Sequence, residues 1–213
     1  MEPRIKYPRT YHLPWSLGRS DDDKILQSID HFIGRRVIVT EKVDGENTSM
    51  LNDYIHARSL DSANHYTRNW VKQFHANYIA GNIPGMRLCG ENLYAVHSIQ
   101  YENLKSYFYG FSMWDNVNNV CLSWEETLEW FTLLGVEHVP VLYNGIFDEA
   151  IIRSLWNEGY KGTVEGYVVR IADSFHYDDF KMSVAKFVRR DHVQTDQHWM
   201  SRTDIPVNKL IDS

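Results

Sequence analysis

The sequence predicts an α+β fold of mainly antiparallel sheets flanked by helices. Two observations predict it. Short runs rich in β-branched and aromatic residues recur along the chain, and helical segments interrupt them without a regular strand–helix–strand rhythm. Residues 1–30 contain Pro3, Pro8 and Pro14 and the acidic run Asp21-Asp22-Asp23, and read as a loop-rich segment with a short helix over 24–31. Strands follow at 36–41, 48–51 and 54–58, the last two joined by a turn at Asn52-Asp53. Trp70, Val71, Phe74 and Tyr78 recur at helical spacing before Gly81, which predicts an amphipathic helix over 66–80. Strands resume at 86–89, 93–97 and 107–114. Ser123 with Glu126 three residues on is a capping box, opening a helix that ends at Gly135. A strand at 138–142, a short helix capped by Asp148, and strands at 164–170 and 183–188 complete the chain. There is no internal repeat or linker, so residues 1–213 read as one domain, with 191–213 a short C-terminal tail.

Hydrophobic residues make up 43% of the 213 positions, enough for a buried core and too many for a disordered chain. No apolar run is long enough to span a membrane, and Met1-Glu2-Pro3-Arg4-Ile5-Lys6 is no secretory signal. Cys89 and Cys121 each lie in an apolar run and read as core residues of a protein kept in a reducing cytoplasm. The formal net charge of −6 excludes a uniformly basic surface but leaves room for a local strip that meets nucleic acid. Arg35-Arg36, Lys181 with Lys186, and Arg189-Arg190 are the basic clusters.

The most informative stretch is Thr40-Glu41-Lys42-Val43-Asp44-Gly45-Glu46-Asn47. Val37-Ile38-Val39 before it reads as a buried strand, and Asp44-Gly45 forces a turn. Lys42 therefore has its backbone held by a sheet and its amine aimed beyond the strand end. A lysine so placed, partly desolvated and near other cations, suits covalent catalysis. Downstream, in order, come Arg58-Ser59, Gly90-Glu91-Asn92, the aromatic run from Phe108 to Trp114, Glu165-Gly166-Tyr167-Val168-Val169-Arg170, and Val184-Ala185-Lys186-Phe187-Val188-Arg189.

Lys-x-Asp-Gly followed by these segments resembles the ordered motif set of the covalent nucleotidyltransferases, which include polynucleotide ligases and mRNA capping enzymes. The chain is most similar to ATP-dependent RNA ligases of the nick-sealing class, over residues 35–190. The resemblance implies an adenylyltransferase core, of the ATP-grasp-like ligase type, without the OB-fold barrel of DNA ligases, for which about 25 residues after the last motif leave no room. It implies a lysyl-AMP intermediate on Lys42, with ATP as cofactor and magnesium or manganese beside it. The AMP would pass to an RNA 5′-phosphate, and a 3′-hydroxyl would then displace it, on free ends or at a nick in a duplex. Glu41 would lie beside adenine, Phe111 would stack on it, and Glu91 would hold the ribose hydroxyls. Asn47 and Arg58 match further nucleotide-contacting positions, and Lys186 matches a lysine on the α-phosphate. Glu165, with Glu91, would hold the metal through water. For the amine to attack near neutral pH, burial and Lys186 are expected to lower the pKa of Lys42.

The match departs from the family in its last motif, where Val184 and Val188 flank Lys186 and no second lysine follows one residue away. Lys181 or Arg189 is the expected substitute, and with Arg190 these form the expected RNA strip. The segment 11–16 is expected to help capture substrate, and 191–199 reads as a capping or RNA-contacting segment. A monomer is expected, in the cytoplasm (a host's, if phage-encoded). Two readings remain beside this one. Asp44 also suits a minimal ATP-dependent DNA ligase, and a non-catalytic nucleotide- or RNA-binding relative is opposed by the joint presence of Lys42, Glu91 and Glu165.

Overall fold

The computed structural model describes residues 4–18, 22–61, 64–156, 163–190 and 204–211. The first strands are β1 (Tyr11–His12), β2 (Arg36–Lys42), β3 (Glu46–Met50), β4 (Ile55–Ala57), β5 (Met86–Asn92) and β6 (Phe108–Asp115). They are followed by β7 (Val120–Cys121), β8 (Glu137–His138), β9 (Val141–Ile146), β10 (Gly166–Ile171), β11 (Phe175–His176) and β12 (Val184–Val188). The helices are α1 (Asn69–Phe74), α2 (Trp124–Leu134), α3 (Glu149–Ser154) and α4 (Phe180–Ser183).

The strands form two sheets. One runs β1-β12-β10-β2-β9, the other β11-β7-β6-β5-β3-β4 with β8 beside β6. Pairing is antiparallel except for β1 on β12 and β8 on β6. The expected α+β fold is therefore present, with short helices on the outside of mainly antiparallel sheets.

Side-chain alternation explains how the sheets divide their faces. In the first sheet Val37, Val39, Tyr167, Val169 and Phe187 enter one buried cluster with Leu13, Phe32, Phe147 and Ile152 of α3. Their alternates Thr40, Lys42, Val168, Arg170, Val184 and Lys186 line a cavity. In the second sheet Met50, Leu88, Phe108 and Met113 pack on Val71 of α1 and on Phe131 and Leu134 of α2. The inward-facing residues of that sheet complete the cavity. Ser123 and Glu126 form the capping box that starts α2, and Gly135 ends it in the left-handed conformation. A cap of this kind contributes about 1 kcal/mol.

Several elements differ from the sequence reading, each because its backbone hydrogen bonds go elsewhere. No helix forms over 24–31. His12 N–H donates to the Lys24 carbonyl (2.7 Å) and Leu26 N–H to that of His12 (2.8 Å), so this segment is pinned to β1 and only a 3-10 turn, Asp30–Phe32, follows. Residues 93–97 are not a strand. Val96 N–H donates to Pro206 (2.8 Å), and the buried Asn208 side chain donates to the Leu93 carbonyl (2.7 Å). The C-terminal residues 204–211 thus pack along 94–104, with bridges Ala95 to Val207 and Leu104 to Leu210. The strand expected at 138–142 is split by Pro140 into β8 and β9, because proline has no N–H for a ladder. The helix expected over 66–80 changes type twice, from a 3-10 turn through α1 to a π turn at His75–Ile79. The segment 191–199 lies outside the described residues.

Candidate functional site

Lys42 is the last residue of β2, opposite Gly166 of β10, where a Cβ would lie 2.0 Å from the Phe187 carbonyl oxygen. Glycine is required there by close approach of backbone, and it brings the preceding residue, Glu165, against the lysine. Lys42 Nζ donates to Glu165 Oε2 at 2.6 Å, and Glu165 is only 5% exposed. The turn after Lys42 is held the same way. A Cβ on Gly45 would lie 2.5 Å from the Asn92 carbonyl oxygen. Asp44 is buried and accepts from the backbone N–H groups of Ser98 (2.7 Å) and Ile99 (2.9 Å), while its own N–H donates to Tyr101 Oη (2.8 Å). In this chain the aspartate of Lys-x-Asp-Gly anchors a loop.

The cavity between the sheets has a volume of about 710 Å³. Of the residues expected in the site, Glu41, Lys42, Asn47, Arg58, Glu91, Phe111 and Lys186 all line it. Asn47 and Glu91 face each other in register across β3 and β5. Phe111 owes its position to a β-bulge. Cys89 pairs with Ser112 and Gly90 with Gly110, which leaves Phe111 as the extra residue of β6. The bulge turns both Phe111 and Ser112 inward, where strict alternation would allow only one of them. Val168 and Val139 line the same cavity, so the ring has flat apolar company.

The electrostatics correct one expectation. Burial pushes the Lys42 pKa down, but Glu165 and Glu91 outweigh it, and the amine sits above the ordinary lysine range. Lys186 is the depressed lysine, through its own burial and then the Lys42 ammonium. Burial raises Glu91 to about 8 against the pull of Lys42, with Glu165 adding to the rise. Lys42 is thus an ammonium held by two carboxyl groups, and Lys186 lies below the ordinary lysine range.

The basic strip is only partly present. Lys181 and Arg190 are exposed, but Arg189 is buried and its guanidinium donates to the carbonyls of Val164 (3.1 Å) and Arg190 (3.3 Å). Arg189 holds the backbone near Glu165 and is no surface phosphate contact. The strand-like alternation of 183–188 gives no warning that the next residue turns inward. Sequence reasoning also missed Lys6, Tyr7 and Arg9, which line the cavity from the N-terminal segment, and Arg170, whose guanidinium donates to the Leu122 carbonyl (2.8 Å).

Among the described residues no group of three His, Cys, Asp or Glu side chains could enclose a metal. A hydrated magnesium-like ion shared with phosphates needs only one or two carboxylates. Glu91 and Glu165 meet that need, and the buried Asn47 Oδ1, which has no hydrogen-bond partner among the described residues, is a further oxygen beside Glu91. These residues fit such an ion.

The RNA ligase family profile matches residues 35–188, the span from β2 to β12. The chain belongs to the RNA ligase family. Solved structures agree with it in fold. A Naegleria gruberi RNA ligase with pyrophosphate superposes with a TM-score of 0.56 at 19% identity, covering 94% of this chain and 64% of that one. A lysine-to-alanine variant of Naegleria gruberi RNA ligase with ATP and manganese gives 0.53 at 17% identity, covering 89% and 61%. A candidate ATP-dependent DNA ligase of Aquifex aeolicus gives 0.56 at 18%, covering 86% and 50%. This chain therefore spans half to two thirds of the length of these ligases. No curated protein sequence matched it.

Proposed function

We propose that this RNA ligase family member uses ATP to load AMP onto Lys42 and joins RNA 3′-hydroxyl and 5′-phosphate ends. The observation that carries the reading is Lys42 Nζ, 2.6 Å from Glu165, in a cavity that also presents Phe111, Glu91, Arg58 and Lys186. The Naegleria structure with ATP and manganese supports ATP and a divalent cation as cofactors, and magnesium or manganese is the proposed ion. Residues 1–213 would act as one domain, as a monomer in the cytoplasm.

In this mechanism adenine stacks on Phe111, its edge beside Glu41, and Glu91 accepts the ribose hydroxyls. Glu165 and Glu91 hold Lys42 as the ammonium, so attack requires that their charge be redirected. A divalent cation held by these carboxylates would lower the amine's pKa and offset charge on the α-phosphate. Lys42 then gives one proton through Glu165 to solvent, and its Nζ bonds to the α-phosphorus as the bond to pyrophosphate breaks. The second proton leaves the nitrogen by the same route to give the neutral phosphoramidate. Lys186 faces the α-phosphate, where charge grows in the transition state. Transfer to a 5′-phosphate and attack by a 3′-hydroxyl follow, and AMP departs. Phe111→Ala is expected to lower kcat/KM for ATP by roughly 1–3 kcal/mol, the scale of base–aromatic stacking. A titration of adenylylation against ATP concentration checks this, and an unchanged value would remove Phe111 from the adenine site.

RNA is the proposed polynucleotide. With net charge −6 and a strip reduced to Lys181, Lys186 and Arg190, phosphate contacts are few, and binding is expected to weaken steeply with salt. Discrimination would come from duplex shape and 2′-hydroxyls near the joint. The test is sealing of matched nicks whose 3′-hydroxyl strand ends in ribonucleotides or deoxyribonucleotides, at several salt concentrations. Faster sealing of the ribonucleotide end is expected. Equal or faster sealing of the all-DNA nick would favour the DNA ligase reading, to which the Aquifex aeolicus fold match also points.

A further inference from the structure

The N-terminal segment crosses the cavity as a pinned strap. Tyr177 Oη donates to the Lys6 carbonyl (2.8 Å), Arg87 Nη1 to that of Ile5 (2.8 Å) and Arg58 Nε to that of Tyr7 (3.4 Å). The Tyr7 ring stands edge-on to both Phe111 (5.2 Å) and Phe180 (5.4 Å). Pairing of β1 with β12 then fixes the strap's far end and sets His12 in register with Lys186. Between these anchors Arg9 lines the cavity.

Arg9 is joined to the phosphate-facing side of the site through Asp23. Its guanidinium donates to the Asp22 carbonyl (2.7 Å) and lies 3.4 Å from Asp23 Oδ1. Asp23 also lines the cavity and is 3.5 Å from His12 Nε2, the neighbour of Lys186. Two of the other cations in the cavity are committed. Lys42 is held by Glu165, and Arg170 by the Leu122 and Ile171 carbonyls. Arg9 is 45% exposed, and its contacts with the Asp22 carbonyl and Asp23 are ones that a stronger anion can displace. When the bond between the α-phosphorus and its bridging oxygen breaks, the electron pair goes to pyrophosphate, and that oxygen needs a cation opposite Lys42. A guanidinium fork suits two phosphate oxygens at once.

We infer that the N-terminal strap supplies the receiving site for the pyrophosphate leaving group, with Arg9 as its central residue and Arg58 and Lys186 beside it. This rests on the proposed adenylylation of Lys42. The test runs that reaction backwards. Protein carrying labelled AMP is mixed with pyrophosphate, and the ATP formed is followed for the unsubstituted protein, Arg9→Ala and Arg9→Lys. Arg9→Ala is expected to need on the order of ten-fold more pyrophosphate for half-maximal rate, the scale of a lost charge-assisted hydrogen bond, and Arg9→Lys to recover part of it. Sealing of RNA that already bears a 5′-adenylate releases no pyrophosphate and is the reference. An unchanged pyrophosphate requirement, or an equal loss in that reference step, would overturn the assignment. If the unsubstituted protein takes up no AMP at all, the ligase reading fails, and this inference with it.

Discussion

Mixed with labelled ATP and a divalent cation, the Lys42→Arg protein is expected to stay folded and take up no AMP. Arginine keeps the charge that faces the buried Glu165 and so preserves the pairing on which the strand end rests. It cannot supply a neutral nitrogen near neutral pH, because its guanidinium stays protonated. Lys42→Ala should be equally unlabelled, but at some cost in stability, since Glu165 would be left buried without this partner. Loss of a covalent nucleophile lowers rate on the order of 10⁴-fold or more, so the label should vanish for practical purposes. The label on the unsubstituted protein should be acid-labile and alkali-stable, as a phosphoramidate is. Undiminished labelling of either variant would place the nucleophile elsewhere.

Glu165→Gln carries the second large effect, and its pH dependence is the sharper reading. The carboxylate would hold the divalent cation that offsets charge at the reacting phosphate, so adenylylation at neutral pH should fall by about 10²–10³-fold. The same carboxylate is a main reason that Lys42 stays protonated above the ordinary range. A partner that stabilises the ammonium raises its pKa, so removal of that partner lets the amine deprotonate at lower pH. The rate should therefore rise with pH earlier in Glu165→Gln than in the unsubstituted protein, towards a lower plateau. Single-turnover adenylylation measured between acid and alkaline pH checks both features. A near-normal rate with an unshifted profile would reduce Glu165 to a strand-end carboxylate.

The site was legible in the sequence where a residue's role depends on its neighbours along the chain. Lys42 follows a β-branched run and precedes Asp44-Gly45, so its position at a strand end is a local consequence, and Glu165 before an apolar strand is another. Their meeting is not local, and only the order of the motifs suggested it. Lys6, Tyr7 and Arg9 carried no such signal, because a proline-bearing extended segment has the same sequence character whether it lies in solvent or across a cavity. Arg189 misled for the same reason. Two adjacent arginines look like a surface strip until the Val164 carbonyl claims one of them.

From sequence alone came the fold class, the α2 capping box with its Gly135 stop, the cysteines as buried core residues, and seven of the residues that line the cavity. The first three follow from propensity, periodicity and spacing, which act over a few residues and leave their mark in the order of side chains, and the cavity residues from the resemblance that the ordered motifs carry. Tertiary structure decided the rest. It set the pairing of 93–97 with 204–211, the bulge that turns Phe111 inward, the anchoring of Asp44, and the charge on Lys42. Each of these depends on atoms far apart in the chain. A backbone N–H bonds to whichever carbonyl the fold brings near, and a buried amine's pKa is the balance of burial against every charge within reach. Lys42 was expected to be the depressed lysine because Lys186 was counted and the two carboxylates around it were not.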